Sequence, residues 1–357
     1  MLLFTTLPSK RSSVRVSMLK RWTAVVCSGV IGFSAMAVGH AAEVNIYSAR
    51  KENLIKPLLD KFTEETRVEV NLVTGKADAL LHRLKSEGKN SPADLFITVD
   101  AGRLHRAKAS GVLQRVSSKA LNQAVPAHLR DQEGFWYGLS VRARPIFYVK
   151  DRVDPAQLSS YEALAEKQWR GRICIRSSSN IYNQSLIASM LAHQGEKQVL
   201  GWTGEFVSNF AQPPVGGDRD QIKAAAAGVC DIAIANTYYF GQMLSGRDQA
   251  QKEAAEKVSI FWPNQSGRGA HVNVSGIGLT AAAQNREAAI KLMEFLVSEE
   301  AQAWYGEVNF EYPVRKGVAI SPALQQWGTF KADTLNLTEL GEFNQDAVKV
   351  MDKAGWR

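Results

Sequence analysis

Tyr238 and Tyr239 are adjacent, and they follow a mainly apolar run, Cys230-Asp231-Ile232-Ala233-Ile234-Ala235. A third phenol, Tyr182, follows another strand-like run, Arg172–Arg176, after the polar loop Ser177-Ser178-Ser179-Asn180-Ile181. Phenol has a pKa near ~10 and ligates poorly while protonated. A bound, highly charged cation reverses this by stabilising the phenolate. Hard oxyanion donors suit hard trivalent cations, whereas softer ions prefer sulfur or imidazole. The six histidines form no HxxxH or HxH pair, which argues against zinc and copper. No carboxylate-rich loop of the calcium-binding kind is present. Three phenolates on a 3+ ion make a neutral unit with open positions, which an anion would fill.

Arg142 and Arg144 stand two apart on an extended run, so they are expected on one face. Their guanidinium forks suit a bidentate oxyanion, and the serine loop adds donors at a helix amino terminus. Plainer readings stand beside these. A Tyr-Tyr pair also suits a half-buried strand or an interface. An Arg-x-Arg pair also suits a solvated strand face or salt bridges, and Tyr47 suits the core.

Positioning these groups takes a sheet that presents its carboxyl ends to a cleft. Short apolar runs in an alternating α/β pattern read as central strands. Glu43–Ser48, Val68–Val73 and Ala93–Val99 are predicted strands, with helices at Glu52–Glu65, Ala77–Gly88 and Ala101–Ser110. That order predicts a mainly parallel sheet. Tyr137–Val149 is longer than most single strands and is expected to carry the chain between lobes. A second unit follows, with helices at 158–167, 183–193, 194–211 and 221–227 and strands at 172–176 and 230–235. Asp218 or Asp220 is expected to cap the 221–227 helix. Ala270–Thr280 is expected to be the return crossing. Helices at Arg286–Val297 and Glu299–Trp304 follow. The fold class is therefore α/β, two lobes hinged by extended crossing strands. The first lobe is expected at 42–141 and 275–316, the second at 142–274, with a helical segment, 317–357, packing across both. A ligand cleft between them would close by hinge motion.

The 357 residues are long for one ordinary core. Formal charge is +8, but Lys10, Arg11, Arg15, Lys20 and Arg21 fall in the first 41 positions, which hold no acid. Without them 38 basic residues face 35 acidic ones, scattered and without a basic stripe, which excludes a nucleic-acid footprint. Lys20-Arg21, the apolar run Trp22–Val38 and the small-residue end Gly39-His40-Ala41 have the layout of a cleavable secretory signal over residues 1–41. Cys174 and Cys230 then remain, and an exported protein permits a disulfide between them if their strands are neighbours. The other reading is two small buried apolar residues. No Gly-x-Ser-x-Gly elbow or His-centred triad stands out, which disfavours an enzyme.

Several segments match one known pattern in order: Val44–Arg50, Ser91–Asp94, Arg142–Arg144, Arg176–Asn183, Gly216–Gln221 and Ala235–Gly241. Through them the chain resembles the periplasmic ferric iron-binding proteins, the tyrosine-ligand solute-binding components of iron(III) ABC importers. The resemblance implies that Tyr182, Tyr238 and Tyr239 are Fe3+ ligands in an interlobe cleft. It also implies delivery by a monomer to an inner-membrane ABC permease. Several members use a His-Tyr pair in the first lobe, where this chain has Lys51-Glu52. It is similar instead to members that complete the shell with a carbonate-like synergistic anion. Arg142, Arg144 and Arg50 are then candidates to hold that anion, with Lys51 adding charge and Glu52 and Tyr47 as further candidates. The alternative function on the same scaffold is an anion or small organic-solute carrier, in which the arginines and serine loop are primary and the tyrosines stack on the solute.

Overall fold

The structure, a computed structural model, describes residues 42–357; the expected leader, residues 1–41, lies outside the described residues. β1 (Glu43–Ser48) forms where polar and apolar residues alternate, and it buries Val44, Ile46 and Tyr47. It pairs in parallel with β2 (Glu69–Thr74) and with β3 (Leu95–Val99). The intervening helices, Lys56–Thr66 and Ala77–Glu87, bury Leu58, Leu59 and Phe62 and then Leu80 and Leu84. These spacings place one apolar stripe on each helix against the sheet. Asp100 caps the next helix, Ala101–Ala109, by accepting from the Gly102 amide. β4 (Leu113–Gln114) is a short edge element.

The run 137–149 does cross between sheets. β5 (Tyr137–Ala143) lies in the first sheet and β6 (Ile146–Val149) in a second. The break falls at Arg144-Pro145, where proline has no N–H to give a ladder. The second sheet adds β7 (Ile173–Cys174), β8 (Ile232–Ile234) and β9 (Val258–Phe261), in the order β7-β8-β6-β9. β7 and β8 are parallel neighbours, and the Cys174–Cys230 disulfide joins their segments with Cα atoms 5.9 Å apart.

β10 (Val272–Thr280) is buried along its whole length and returns the chain to the first sheet. Two expectations change here. β10 lies wholly in the first sheet, so the return crossing is made by the residues between β9 and β10. It also inserts antiparallel between β3 and β5, so only the β2-β1-β3 part of the first sheet is parallel. With β11 (Tyr312–Pro313) the order is β11-β5-β10-β3-β1-β2, and β4 pairs with β10.

Other differences are local. In place of the helix expected at 158–167 stand two 3-10 turns, Glu162–Ala165 and Lys167–Trp169, and Tyr161, Leu164 and Trp169 are buried in the core. The helix expected at 221–227 begins three residues earlier, as Asp218–Ala226, because the Asp220 carboxylate accepts from the Gly217 amide. In the 317–357 segment, the short helix Glu339–Glu342 packs against both Ala101–Ala109 and Ile181–Gln194, which flank different sheets. No helix among the described residues is long and apolar enough to cross a membrane.

Candidate metal centre

Tyr182 lies in the first turn of the helix Ile181–Gln194, whose N-cap Asn180 accepts from the Tyr182 amide. Tyr238 and Tyr239 lie in the first turn of Thr237–Ser245, which starts directly after β8 and Asn236. All three phenols thus leave from helix amino termini, where the macrodipole favours negative charge. Gly241 lets the second helix close in: a Cβ there would meet Phe310 Cγ at 2.4 Å.

The structure brings the three together. The hydroxyls of Tyr238 and Tyr182 are 3.2 Å apart, and the Tyr238 and Tyr239 rings lie 4.2 Å centroid to centroid. They line a cleft of about 190 Å³ with Arg50, Lys51, Arg142, Arg219, Gln242 and Glu311. A larger cleft of about 390 Å³ lies by Leu84 and Ser110, and its only charged lining groups are Lys85 and Lys89. Among the described residues no group of three or more His, Cys, Asp or Glu side chains could hold a metal ion. Phenolic oxygen, beside the single carboxylate of Glu311, is therefore the oxygen donor type concentrated in the tyrosine cleft.

Each phenol ring carries a guanidinium over its face. Arg142 Cζ is 5.0 Å from the Tyr238 centroid, Arg219 4.9 Å from Tyr239 and Arg176 5.9 Å from Tyr182. Burial, followed by the neighbouring phenols, raises Tyr238 well above the usual phenol range despite Arg142. Burial, then Tyr182 and Asp218, pushes Tyr239 up to about 12. Both are therefore protonated at neutral pH.

The other expected residues divide. Arg142 faces the cleft, donates to Ser275 Oγ and Glu311, and leaves its buried Nε without a partner. Arg50 also lines the cleft, but its donors go to Leu54 O, Ser275 and Glu311. Lys51 is an exposed lining residue, and Glu52 is exposed and outside the lining set. Tyr47 is a core residue: its hydroxyl donates to Glu87, 2.9 Å away, and it lies outside the cleft. Arg144 is fully buried behind the tyrosines on Asp218, Asn236 and Asn183, so it does not reach an anion in the cleft. The strand ends between the two arginines, and strand alternation no longer governs the second.

Glu311, Arg219, Arg176 and Gln242 were not anticipated. Arg176 and Arg219 fall inside the matched segments 176–183 and 216–221, so a signal for them was present. Glu311 had none: it accepts from Arg50, Arg142 and Ser140, all distant in sequence. Burial raises its carboxyl, but the two arginines outweigh that and hold it below the usual range.

The sequence profile of the bacterial extracellular solute-binding proteins matches residues 58–332. The chain belongs to this family. It is 51% identical over 319 residues to Iron uptake protein A1 of Synechocystis, covering 89% of each chain. A solved Trichodesmium structure (IdiA, FutA), in complex with iron and citrate ligands, has a TM-score of 0.87 and 51% identity, covering 88% of this chain and 100% of the other. The ferric binding protein from Campylobacter jejuni matches with a TM-score of 0.83 at 40% identity, covering 88% and 100%. These relatives bear out the resemblance to periplasmic ferric iron-binding proteins and the two-lobed α/β fold class.

Proposed function

We propose that this protein is a periplasmic solute-binding protein that captures Fe3+ through the phenolates of Tyr182, Tyr238 and Tyr239 and delivers it to an inner-membrane ABC importer. The observation that carries this reading is the convergence of three phenols in one cleft, each under a guanidinium. Three phenolates neutralise the trivalent ion. Four cations, Arg50, Lys51, Arg142 and Arg219, and one carboxylate, Glu311, border the same cleft. The surplus positive charge favours an accompanying oxyanion of the carbonate or citrate kind, and Arg142, which lines the cleft and has an unpartnered Nε, supports that reading. The likeness to the iron- and citrate-bound Trichodesmium structure supports the same pairing.

Capture proceeds by displacement of phenolic protons, desolvation of the ion and closure of the lobes, 42–141 with 275–316 against 142–274, about the crossing at Arg144-Pro145. The segment 317–357 packs across them. The protein acts as a carrier without catalysis, works as a monomer, and reaches the periplasm through cleavage of residues 1–41. Reduction to Fe2+, a softer ion that binds phenolate less well, gives one route to release.

The test is metal analysis and a visible spectrum of protein purified without chelator. Bound Fe3+ with a phenolate-to-iron charge-transfer band is expected, lost in Tyr238→Phe while the circular dichroism is unchanged. A colourless protein that binds an organic solute instead would overturn the reading.

A further inference from the structure

The three phenols sit on two separate helices, and an array of ligands must be held to within about 0.5 Å to select one ion. Among the described residues, no direct hydrogen bond joins those helices to each other apart from the one between Tyr238 and Tyr182 themselves. What does connect them is a buried charge pair behind the rings.

Arg144 Nη1 donates to Asp218 Oδ2 at 3.0 Å and to Asn236 Oδ1 at 2.9 Å, and its Nη2 donates to Asn183 Oδ1 at 2.6 Å. Asn236 immediately precedes the helix that bears Tyr238 and Tyr239, and Asn183 directly follows Tyr182. The Asn183 amide returns two bonds to the carbonyls of Arg176 and Ser177, so the loop before Tyr182 is held as well. Asp218 accepts from the Asn236 backbone amide and from Arg176, the cation over Tyr182. It is also the first residue of the helix whose next residue, Arg219, covers Tyr239. Arg144, Asp218, Asn183 and Asn236 are all at least nine-tenths buried. A planar fork with donors in fixed directions can hold three segments at once, which an ammonium cannot.

We propose that Arg144 and Asp218 are positioning residues for ion capture: a buried hub that sets the distance between the Tyr182 segment and the Tyr238-Tyr239 segment. This rests on the proposed Fe3+ site. Neither residue touches the ion, and both act through the backbone of the residues that do. The hub draws its arginine from the crossing between the two sheets, so the ligand array is tied to the segment about which the lobes move.

The test uses Arg144→Lys, which keeps the charge and loses the fork, and Asn236→Ala, which removes one arm and strands no charge. Leu59→Ala, in the core of the first sheet, serves as the control for general destabilisation. Fe3+ is supplied as its nitrilotriacetate complex. Affinity is expected to fall about ten- to hundredfold in Arg144→Lys, with a shifted or weakened charge-transfer band, and several-fold in Asn236→Ala. In iron-free protein, amide exchange over residues 181–184 and 236–240 is expected to accelerate about tenfold or more, with residues 44–48 unchanged. Leu59→Ala should move neither the band nor the local exchange. Wild-type affinity and wild-type exchange in both hub variants would overturn the proposal, and Asn236→Ala alone decides it if Arg144→Lys does not fold. Should the wild-type protein itself give no band with Fe3+, the iron reading fails, while exchange in the iron-free variants still decides whether the hub orders the two segments.

Discussion

Replacing Tyr239 by phenylalanine should change how strongly iron capture depends on pH, as well as its strength. Tyr239 is pushed up to about 12 by burial and by its phenol and carboxylate neighbours. At pH 7 it lies about five units below that value, so removing its proton costs roughly 7 kcal/mol at about 1.36 kcal/mol per unit. The ion must supply that energy, and the proton must leave. Tyr238, raised in the same direction, releases another. The sign follows: capture consumes the charged form, so affinity rises with pH. Each displaced proton adds about one logarithmic unit of affinity per pH unit. Between pH 6 and 8 these two phenols alone should give the wild-type protein a slope of at least about two, and Tyr239→Phe should lower the slope by about one. Equilibrium competition against a chelator of known proton dependence, repeated across that range, measures both. Equal slopes in the two proteins would refute phenolate coordination by Tyr239, even if the variant bound iron more weakly.

Three further outcomes are expected. Glu311→Ala strands the buried guanidinia of Arg50 and Arg142 and should cost about 3–5 kcal/mol in denaturant unfolding; a loss under about 1 kcal/mol would show that the arginines do not need it. His271 is held down to about 3 by burial, with Arg144 and Arg268 adding to it. The unfolded chain takes up a proton there that the folded chain refuses, so this stability is present above about pH 6.5 and is lost as pH falls toward 3, up to about 5 kcal/mol; His271→Gln should flatten that acid limb relative to wild type. Replacing both Cys174 and Cys230 by alanine opens a loop spanning 56 positions and should lower stability by about 4 kcal/mol on the chain-entropy estimate, read from the urea midpoint.

Much of the architecture is legible locally. The thirteen residues 137–149 are too long for one strand, and a strand that changes sheets is the result. The parallel neighbours β7 and β8 were visible as two apolar runs, each bearing a cysteine, and they bring the sulfurs together. The phenols follow expected strands, which puts them at a cleft edge, although the helix Thr237–Ser245 that Tyr238 and Tyr239 enter was not among the expected elements. What could not be read depends on contacts distant in sequence. β10 inserts between β3 and β5 from far along the chain, and no local pattern encodes that it runs antiparallel. Glu311 meets Arg50 and Arg142 only after folding. The period-two rule grouped Arg142 with Arg144, but Pro145 ends the strand and sends the second arginine to Asp218. Tyr47 has the parity of Glu43 and Asn45, opposite Val44 and Ile46, and its contact with Glu87, 40 positions away, is likewise set only by the fold.

The disulfide has a consequence for when the protein becomes competent. Cys174 stands eight positions before Tyr182, and Cys230 eight before Tyr238, so one covalent staple fastens the roots of both ligand-bearing segments. Thiols stay reduced in the cytosol and oxidise outside it. On the proposed reading, the reduced chain has its two arms unstapled and is expected to hold ferric ion less tightly than the oxidised one.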